Sequence, residues 1–216
     1  MANQNARKRK KALKEATTYK LKEPIMQMSK LASALALAVQ AHEGQVRKST
    51  NIPYISHPMA VASIALEFGA TEDQAIAALL HDAIEDGGTQ YANIIKAQFG
   101  DHVHNLVQGC TDGTPDASGK KAPWLERKTA YLQHLEEASD AVLLVSCSDK
   151  LHNARAIVSD LINEGPSVFN RFSSTTEQTL WYYRQLANVF TNRKTPPAKA
   201  LESAVSQMEA LSQSAW

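Results

Sequence analysis

The chain has 216 residues, enough for one domain with a substantial core, and its 44% hydrophobic and 21% charged residues are typical of a globular protein. The formal net charge of +1 gives no overall reason to expect nucleic acid or a membrane surface as a partner. No apolar stretch is long enough to span a bilayer, and the two cysteines, Cys110 and Cys147, form no metal-ligand pattern, which favours a reduced, cytoplasmic protein.

The first 25 residues form a basic leader with little hydrophobic patterning. Its cations are Arg7, Lys8, Arg9, Lys10, Lys11 and Lys14. We interpret residues 1–25 as a flexible, solvated extension, and an arm that binds nucleic acid or a protein partner is the alternative. Residues 26–216 are predicted to form a single domain.

The spacing of apolar residues predicts an all-α fold with almost no strand. The first helix covers Met28 to Ala41, and a polar loop from Glu43 to Ser56 follows it. A second helix runs from Pro58 to Gly69. Thr71 then caps a third helix, with Gln74 in the capping-box position. This helix is predicted to continue through His81 and Asp82 and to stop at Gly87.

The remaining helices are separated by glycine and by polar loops. We predict them over residues 90–99, 101–108, 124–138, 140–163, 175–192 and 197–212, with Gly100 as the break between the first two. The stretch 111–123 is rich in Asp, Gly, Pro and Ser, and it is predicted to be a mobile loop of the kind that often serves as a lid.

Two histidines and two aspartates stand where a core is expected. His81 and Asp82 lie in the apolar run 75–86, Asp149 ends the apolar run 141–149, and His57 precedes a proline at a helix start. Ionised carboxylates in such surroundings are costly unless they are paired or bind a metal. The pattern therefore predicts a divalent-metal site with nitrogen and oxygen ligands, which suits Mn, Fe, Zn or Mg.

Further polar side chains follow these residues at helical spacing. Glu85 comes four residues after His81, and Asp86 four residues after Asp82, so a continuous helix would place an acidic pair one turn from the metal. This pair could orient water or protonate a leaving group. Asn153 comes four residues after Asp149 and is expected on the same face.

Adjacent cations occur at two places outside the apolar runs. Arg47 and Lys48 lie in the polar loop that leads to His57, and they form either a phosphate clamp with an arginine able to stack on a base, or simply a solvated loop. Arg127 and Lys128, just after the long loop, are a second candidate set for substrate binding.

Taken in order, these motifs resemble the HD phosphohydrolase superfamily, and more specifically the hydrolase domain of the Rel/SpoT alarmone enzymes. The stretches that carry the resemblance are AHEGQVRKS (41–49), PYISHP (53–58), ALLHDAIED (78–86) and DKLHNAR (149–155). Phe99-Gly100 and the segment 106–111 fit the same family, and the resemblance extends over about residues 28–190.

The resemblance implies an all-helical fold with a Mn²⁺-dependent site, although other divalent metals are possible. It also implies hydrolysis of the 3′-pyrophosphate of ppGpp and pppGpp to GDP or GTP and pyrophosphate. By position, the implied metal ligands are His57, His81, Asp82 and Asp149, the catalytic acidic pair is Glu85 and Asp86, and the nucleotide-binding residues are Arg47, Lys48, Ser49 and Asn153. The segment 125–128, which includes Arg127 and Lys128, resembles the short stand-alone hydrolases of the family.

Two other hypotheses remain open at this stage. One is an HD phosphohydrolase that acts on a different nucleotide, either an adenosine alarmone or the 2′-phosphate of NADPH. The other is a non-catalytic nucleotide-binding module, against which the intact Glu85 and Asp86 argue. Base choice depends on the shape of the pocket around Arg47, which one sequence does not reveal.

Overall fold

The computed structural model describes residues 28–113 and 122–213, and this part of the chain is almost entirely helical. The helices are α1 (Met28–Ala41), α2 (Ser56–Glu67), α3 (Glu72–Leu80), α4 (Ala83–Asp86), α5 (Gln90–Cys110), α6 (Trp124–Glu137), α7 (Asp140–Glu164), a 3₁₀ helix (Gly165–Arg171), α8 (Thr176–Asn192) and α9 (Ala198–Ser212). The β structure of the described residues is one isolated antiparallel bridge between Val46 and Pro53. The prediction of an all-α fold is confirmed. The basic leader, residues 1–25, and most of the loop 111–123 lie outside the described residues.

Side-chain caps explain where several helices begin. The hydroxyl of Thr71 accepts a hydrogen bond from the backbone N–H of Gln74, whose side chain in turn accepts from the N–H of Thr71. Thr175 and Gln178 make the same reciprocal pair at the start of α8. Each box satisfies two amide groups that the first turn of a helix leaves without partners. The capping box that the sequence predicts at Thr71 is confirmed.

The helix that carries His81 and Asp82 is shorter than the sequence pattern predicts. It ends at Leu80, and α4 starts at Ala83 after a two-residue turn. The ring nitrogen Nδ1 of His81 donates to the carbonyl of Ala78 at 2.8 Å. In an unbroken helix this carbonyl accepts from the amide of Asp82, so the side chain competes with the helix for it. The prediction of one continuous helix to Gly87 was wrong at this point.

Gly100 interrupts α5 as the sequence predicts. Its φ of 88° and ψ of 173° are non-helical, and they separate two helical halves. Such a positive φ is easily adopted only by glycine. The 3₁₀ helix was not predicted, because Gly165 and Pro166 mask its short apolar pattern, although Val168 and Phe169 are buried.

Helices α3 and α7 form the centre of the molecule. The apolar side of α7 is buried from Val142 to Leu161, and this helix packs against α2, α3, α5, α8 and α9. Helix α3 packs against α1, α2 and α5. The two apolar runs that contain the candidate ligands therefore belong to the most enclosed helices. Among the described residues, no helix combines the length and the hydropathy needed to cross a membrane.

Candidate metal centre

Four side chains from three parts of the fold converge in the interior. His57 lies in the first turn of α2, His81 and Asp82 form the turn after α3, and Asp149 lies within α7. The Nε2 atom of His57 lies 3.4 Å from Oδ2 of Asp82 and 3.2 Å from Oδ1 of Asp149. The Nε2 atom of His81 lies 3.0 and 3.7 Å from the same two oxygens. Each imidazole therefore faces both carboxylates.

The turn after Leu80 brings two neighbouring residues to one point. In an α-helix, successive side chains diverge by about 100° around the axis. In this turn, Asp82 adopts φ −97° and ψ −5°, and its carboxylate lies 3.0 Å from the ring of His81. The interruption of the helix therefore serves the site, because it turns both side chains towards Asp149.

The protonation of His81 tests whether the cluster fits a metal. Its Nδ1 donates to a carbonyl, so the neutral form of the ring, which is the form that binds a metal, has its lone pair on Nε2. Among the described residues, this buried Nε2 has no hydrogen-bond partner. A lone pair that faces two carboxylates is satisfied by a cation between them. Ligand atoms of His57, His81 and Asp149 all lie within 4.8 Å of one another, and this donor set fits a divalent metal.

The ionised carboxylates of the cluster also require a compensating positive charge. Burial lowers the pKa of His81, but the charges of Asp82 and Asp149 outweigh burial and hold the pKa well above its usual value. Burial raises the pKa of Asp82, yet the two imidazoles hold it well below its usual value. The carboxylates therefore stay ionised and attract either a proton on His81 or a metal ion that replaces this proton.

A second histidine orients His57. The Nδ1 atoms of His57 and His152 lie 2.8 Å apart, so one ring donates to the other. Burial and the neighbouring His57 lower the pKa of His152 to about 4, which keeps it neutral at pH 7. If His57 binds a metal through Nε2, its Nδ1–H would donate to the neutral ring of His152, and this contact would fix the orientation of the ligand.

Three further side chains hold the carboxylates in place. The hydroxyl of Tyr54 donates to Oδ2 of Asp82 at 2.7 Å. The ammonium of Lys150 and the amide of Asn153 each donate to Asp149 at 2.6 Å. The sequence singled out Asn153 but missed Tyr54. The signal for Tyr54 was its position three residues before His57, in the same loop.

The predicted acidic pair lies beside the cluster. Glu85 and Asp86 line a cavity of about 170 Å³ together with His57, Asp82 and Asp149. The short helix α4 supplies both residues, and the N–H of Asp86 donates to the carbonyl of Asp82 at 2.9 Å. The acidic pair is therefore near the candidate ligands even though the helix that was expected to present it is broken.

Most of the predicted substrate residues of the first loop line a larger, adjoining cavity. Arg47, Lys48 and Asn153 line a cavity of about 460 Å³, and Tyr54 and Asn153 line both cavities. The guanidinium of Arg47 donates to Oδ1 of Asn153 at 2.8 Å, which links the loop to α7. Ser49 is exposed with a φ of 58° and does not belong to the lining of either cavity.

Arg127 and Lys128 have a different partner. Arg127 donates to Oδ1 of Asp112 at 2.6 Å, and Lys128 pairs with Oδ2 of the same carboxylate. Burial raises the pKa of Asp112, but the charges of Lys128, Lys150 and Arg127 hold it below its usual value. Asp112 lines the smaller cavity, whereas Arg127 and Lys128 line neither of the two. The structure thus places these cations against a largely enclosed aspartate that the sequence did not single out.

A family profile described as "HD domain" matches residues 34–179. The chain is 38% identical over 128 residues to "Guanosine-3′,5′-bis(diphosphate) 3′-pyrophosphohydrolase MESH1" of Xenopus tropicalis, which covers 58% of this chain and 68% of that protein. It is 34% identical over 140 residues to "Bifunctional (p)ppGpp synthase/hydrolase SpoT" of Escherichia coli strain K12. That match covers 62% of this chain and 19% of the longer bacterial protein.

Two solved structures share the fold. One is described as "A metazoan ortholog of SpoT hydrolyzes ppGpp and plays a role in starvation responses", and it matches with a TM-score of 0.64 and 25% identity over 87% of this chain and 96% of that one. The other, lmo0812 from Listeria monocytogenes EGD-e, matches with a TM-score of 0.61 and 26% identity over 76% of this chain and 100% of that one. The helical arrangement is therefore shared almost throughout these smaller proteins.

The hydroxyl of Tyr54 is expected to matter for metal affinity. Burial and the charge of Asp82 raise the pKa of Tyr54, so the phenol stays protonated and donates to that carboxylate. We expect Tyr54→Phe to weaken Mn²⁺ binding by about 10-fold or more, as is typical when a ligand loses its supporting hydrogen bond. Calorimetric titration of metal-stripped protein measures this change. Tyr131→Phe is the matched control, because its buried hydroxyl donates to Ser146 instead. Equal affinities in wild type and Tyr54→Phe would contradict the assignment.

The paired carboxylate of Asp112 is expected to stabilise the fold. Its side chain is 9% exposed, so Asp112→Asn leaves two enclosed cations without a counter-charge. We expect a loss of about 1–3 kcal/mol in the free energy of unfolding at pH 7, measured by urea denaturation. Because the folded-state pKa is lowered, this stabilisation exists above about pH 4, the ordinary range of Asp, and is lost as the pH falls through the folded-state value.

Asp101→Asn is the control for this stability measurement, since the ion pair of Asp101 with Lys96 lies on the surface and should change little. A gap between wild type and Asp112→Asn that stays constant from pH 7 to pH 3 would refute the role of charge at Asp112.

Proposed function

We propose that this chain, which belongs to the HD domain family, is a metal-dependent hydrolase of the alarmones ppGpp and pppGpp. It removes the 3′-pyrophosphate and releases GDP or GTP. The observation that carries the proposal is the convergence of His57, His81, Asp82 and Asp149 beside an acidic pair and a cation-lined cavity. The names of the similar frog and E. coli proteins, which refer to this substrate, support it.

The four converging side chains would hold one divalent metal, which we propose to be Mn²⁺. When bound, such an ion lowers the pKa of water and polarises a phosphoryl oxygen. His152, Tyr54 and Lys150 each hold one of these side chains through a hydrogen bond, and the carbonyl of Ala78 holds the fourth, His81. The residues of the site are thus pre-arranged before substrate binds.

Glu85 and Asp86 transfer the protons of the reaction. Hydrolysis adds water across the bond between the ribose 3′-oxygen and phosphorus, so the water loses a proton and the departing oxygen gains one. Both carboxylates line the cavity that contains His57, Asp82 and Asp149. They are therefore within the space where water and the 3′-phosphate meet, and one accepts the proton from water while the other supplies one to the leaving oxygen.

Arg47 and Lys48 bind the charged substrate. The protein carries a net charge of only +1, so attraction to phosphate must come from local cations. The guanidinium of Arg47 lies 5.8 Å from the ring centre of Tyr54 and donates to Asn153, and these two partners line both cavities. Lys48 extends towards Phe172, whose ring centre is 5.7 Å from its ammonium. Both cations thus stand where a nucleotide that spans the two cavities places its phosphates.

Product analysis tests the proposed function. Metal-stripped protein is incubated with ppGpp alone, with Mn²⁺ and with Mg²⁺, and the products are separated by anion-exchange chromatography. We expect GDP and pyrophosphate only when metal is present, and faster turnover with Mn²⁺ than with Mg²⁺. Parallel incubations with ppApp and NADPH test the two alternative substrates. Undiminished hydrolysis by metal-free protein would overturn the mechanism, and exclusive turnover of NADPH would overturn the substrate.

Removal of either acidic side chain should separate metal binding from chemistry. We expect Glu85→Gln and Asp86→Asn to slow turnover on the order of 10²-fold or more, because a proton-transfer group is lost. Metal content, measured by mass spectrometry, should stay at the wild-type level. The control is Glu67→Gln, an exposed change of the same charge at the end of α2. If metal content falls in parallel with the rate, the two residues are ligands or structural supports instead.

A further inference from the structure

One face of α7 joins the candidate metal centre to the far end of the larger cavity. Asn153, Ala156, Ile157 and Asp160 all line that cavity, and their spacing places them on one side of the helix. Asn153 also bonds the candidate ligand Asp149. Asp160 lies seven residues beyond Asn153, about 10 Å further along the helix axis. This distance is on the scale of a nucleoside that extends away from a phosphate at the metal.

Part of the lining of this cavity suits a planar ring. Ile52, Ile157, Phe172 and Tyr183 contribute apolar or aromatic surface to its lining, and the cavity has a volume of about 460 Å³. Aromatic and aliphatic side chains bind the faces of a base without regard to its identity. Discrimination among bases must therefore come from polar groups that meet the edge of the ring.

The far end of the cavity is unsuited to phosphate. Arg171 donates to Oδ2 of Asp160 at 3.0 Å, and it also pairs with Glu164. Two carboxylates share one guanidinium, so the charge of Arg171 is more than compensated. Arg47, by contrast, donates to Asn153, seven residues back along α7 towards the candidate metal centre, while Lys48 lies near Phe172. A group rich in hydrogen-bond donors fits this end better than an anion does.

Asp160 has the capacity to receive such donors. Its side chain is 39% exposed, and in the part of the chain that the structure describes its hydrogen bonds use Oδ2 alone. A carboxylate accepts through both oxygens and donates through neither. Oδ1 therefore remains for a ligand that enters the cavity.

We propose that Asp160 selects guanine, by accepting hydrogen bonds from N1–H and from the 2-amino group of the base. The inference rests on the proposed function and deepens it by naming the residue that reads the base. Adenine in the same orientation sets the lone pair of its N1 against the carboxylate and has no 2-amino group. Two hydrogen-bond acceptors would then face each other, and this unfavourable contact discriminates against adenine more strongly than a difference in ring shape would.

Equilibrium binding of nucleoside diphosphates tests this inference without relying on turnover. Calorimetric titration of the metal-loaded protein with GDP, IDP and ADP compares three bases, of which IDP keeps N1–H but lacks the 2-amino group. We expect wild type to bind GDP about 10-fold or more tightly than ADP, with IDP between them. Asp160→Ala should lose most of this preference, by weakening GDP about 10-fold and ADP little, as for a hydrogen bond to a charged acceptor.

Two variants distinguish specificity from structural support. Asp160→Asn keeps the size of the side chain but brings an amide donor to the guanine edge, so it should also lose the preference. Glu164→Gln removes one negative charge and a partner of the same Arg171, yet Glu164 is outside the cavity lining, so the preference should persist.

Equal weakening of GDP and ADP by Asp160→Ala, or no base preference in wild type, would overturn the inference. If ppGpp is still hydrolysed, either result overturns base selection by Asp160 and leaves the proposed hydrolase function intact. Failure of the inference is therefore distinguishable from failure of the proposed function.

Discussion

Two ionised carboxylates share the interior of this helical protein, and the cost of burying their charge governs the arrangement around them. Removing even one carboxylate from water costs several kcal/mol unless positive charge and hydrogen bonds compensate. Asp82 receives a hydrogen bond from Tyr54, and Asp149 receives bonds from Lys150 and Asn153, while two imidazoles lie between them. The compensating groups come from the first loop, from α2, from the turn after α3 and from α7 itself. The charge pair thus ties the first loop and the helices α2, α3 and α7 to one another.

Apolar spacing was sufficient to predict the helices, because most of the fold is a set of amphipathic elements around α7. Such spacing reports which face of a segment is buried, and it does not report a side chain that takes a backbone carbonyl from its own helix. That is why the turn after Leu80, where His81 bonds Ala78, was missed. The break at Gly100 was predictable because glycine is the residue that most readily adopts the positive φ found there.

The candidate ligands were conspicuous in the sequence, since histidine and aspartate rarely interrupt apolar runs without a reason. Their supporting residues were not, because they belong to ordinary types in polar segments and meet only in three dimensions. Arg47 and Asn153 are 106 positions apart in the chain, yet they share a hydrogen bond. Arg127 and Lys128 illustrate the opposite situation, in which residue types are conspicuous but their partner is not. The two positive charges are evident in the sequence, whereas their shared pairing with Asp112 appears only in the structure.

Helix α7 carries Asp149, Asn153 and Asp160 in one uninterrupted element, and this limits where residues can be inserted into the chain. One residue inserted between Asp149 and Asp160 would rotate everything beyond it by about 100° and shift it by about 1.5 Å. Asp160 would then leave the cavity although no residue had been substituted. The loops that follow α2 and α8 line neither cavity, so insertions there would leave this alignment unchanged. Relatives that keep the same cavity should therefore differ in loop length while preserving the count of residues along this stretch of α7.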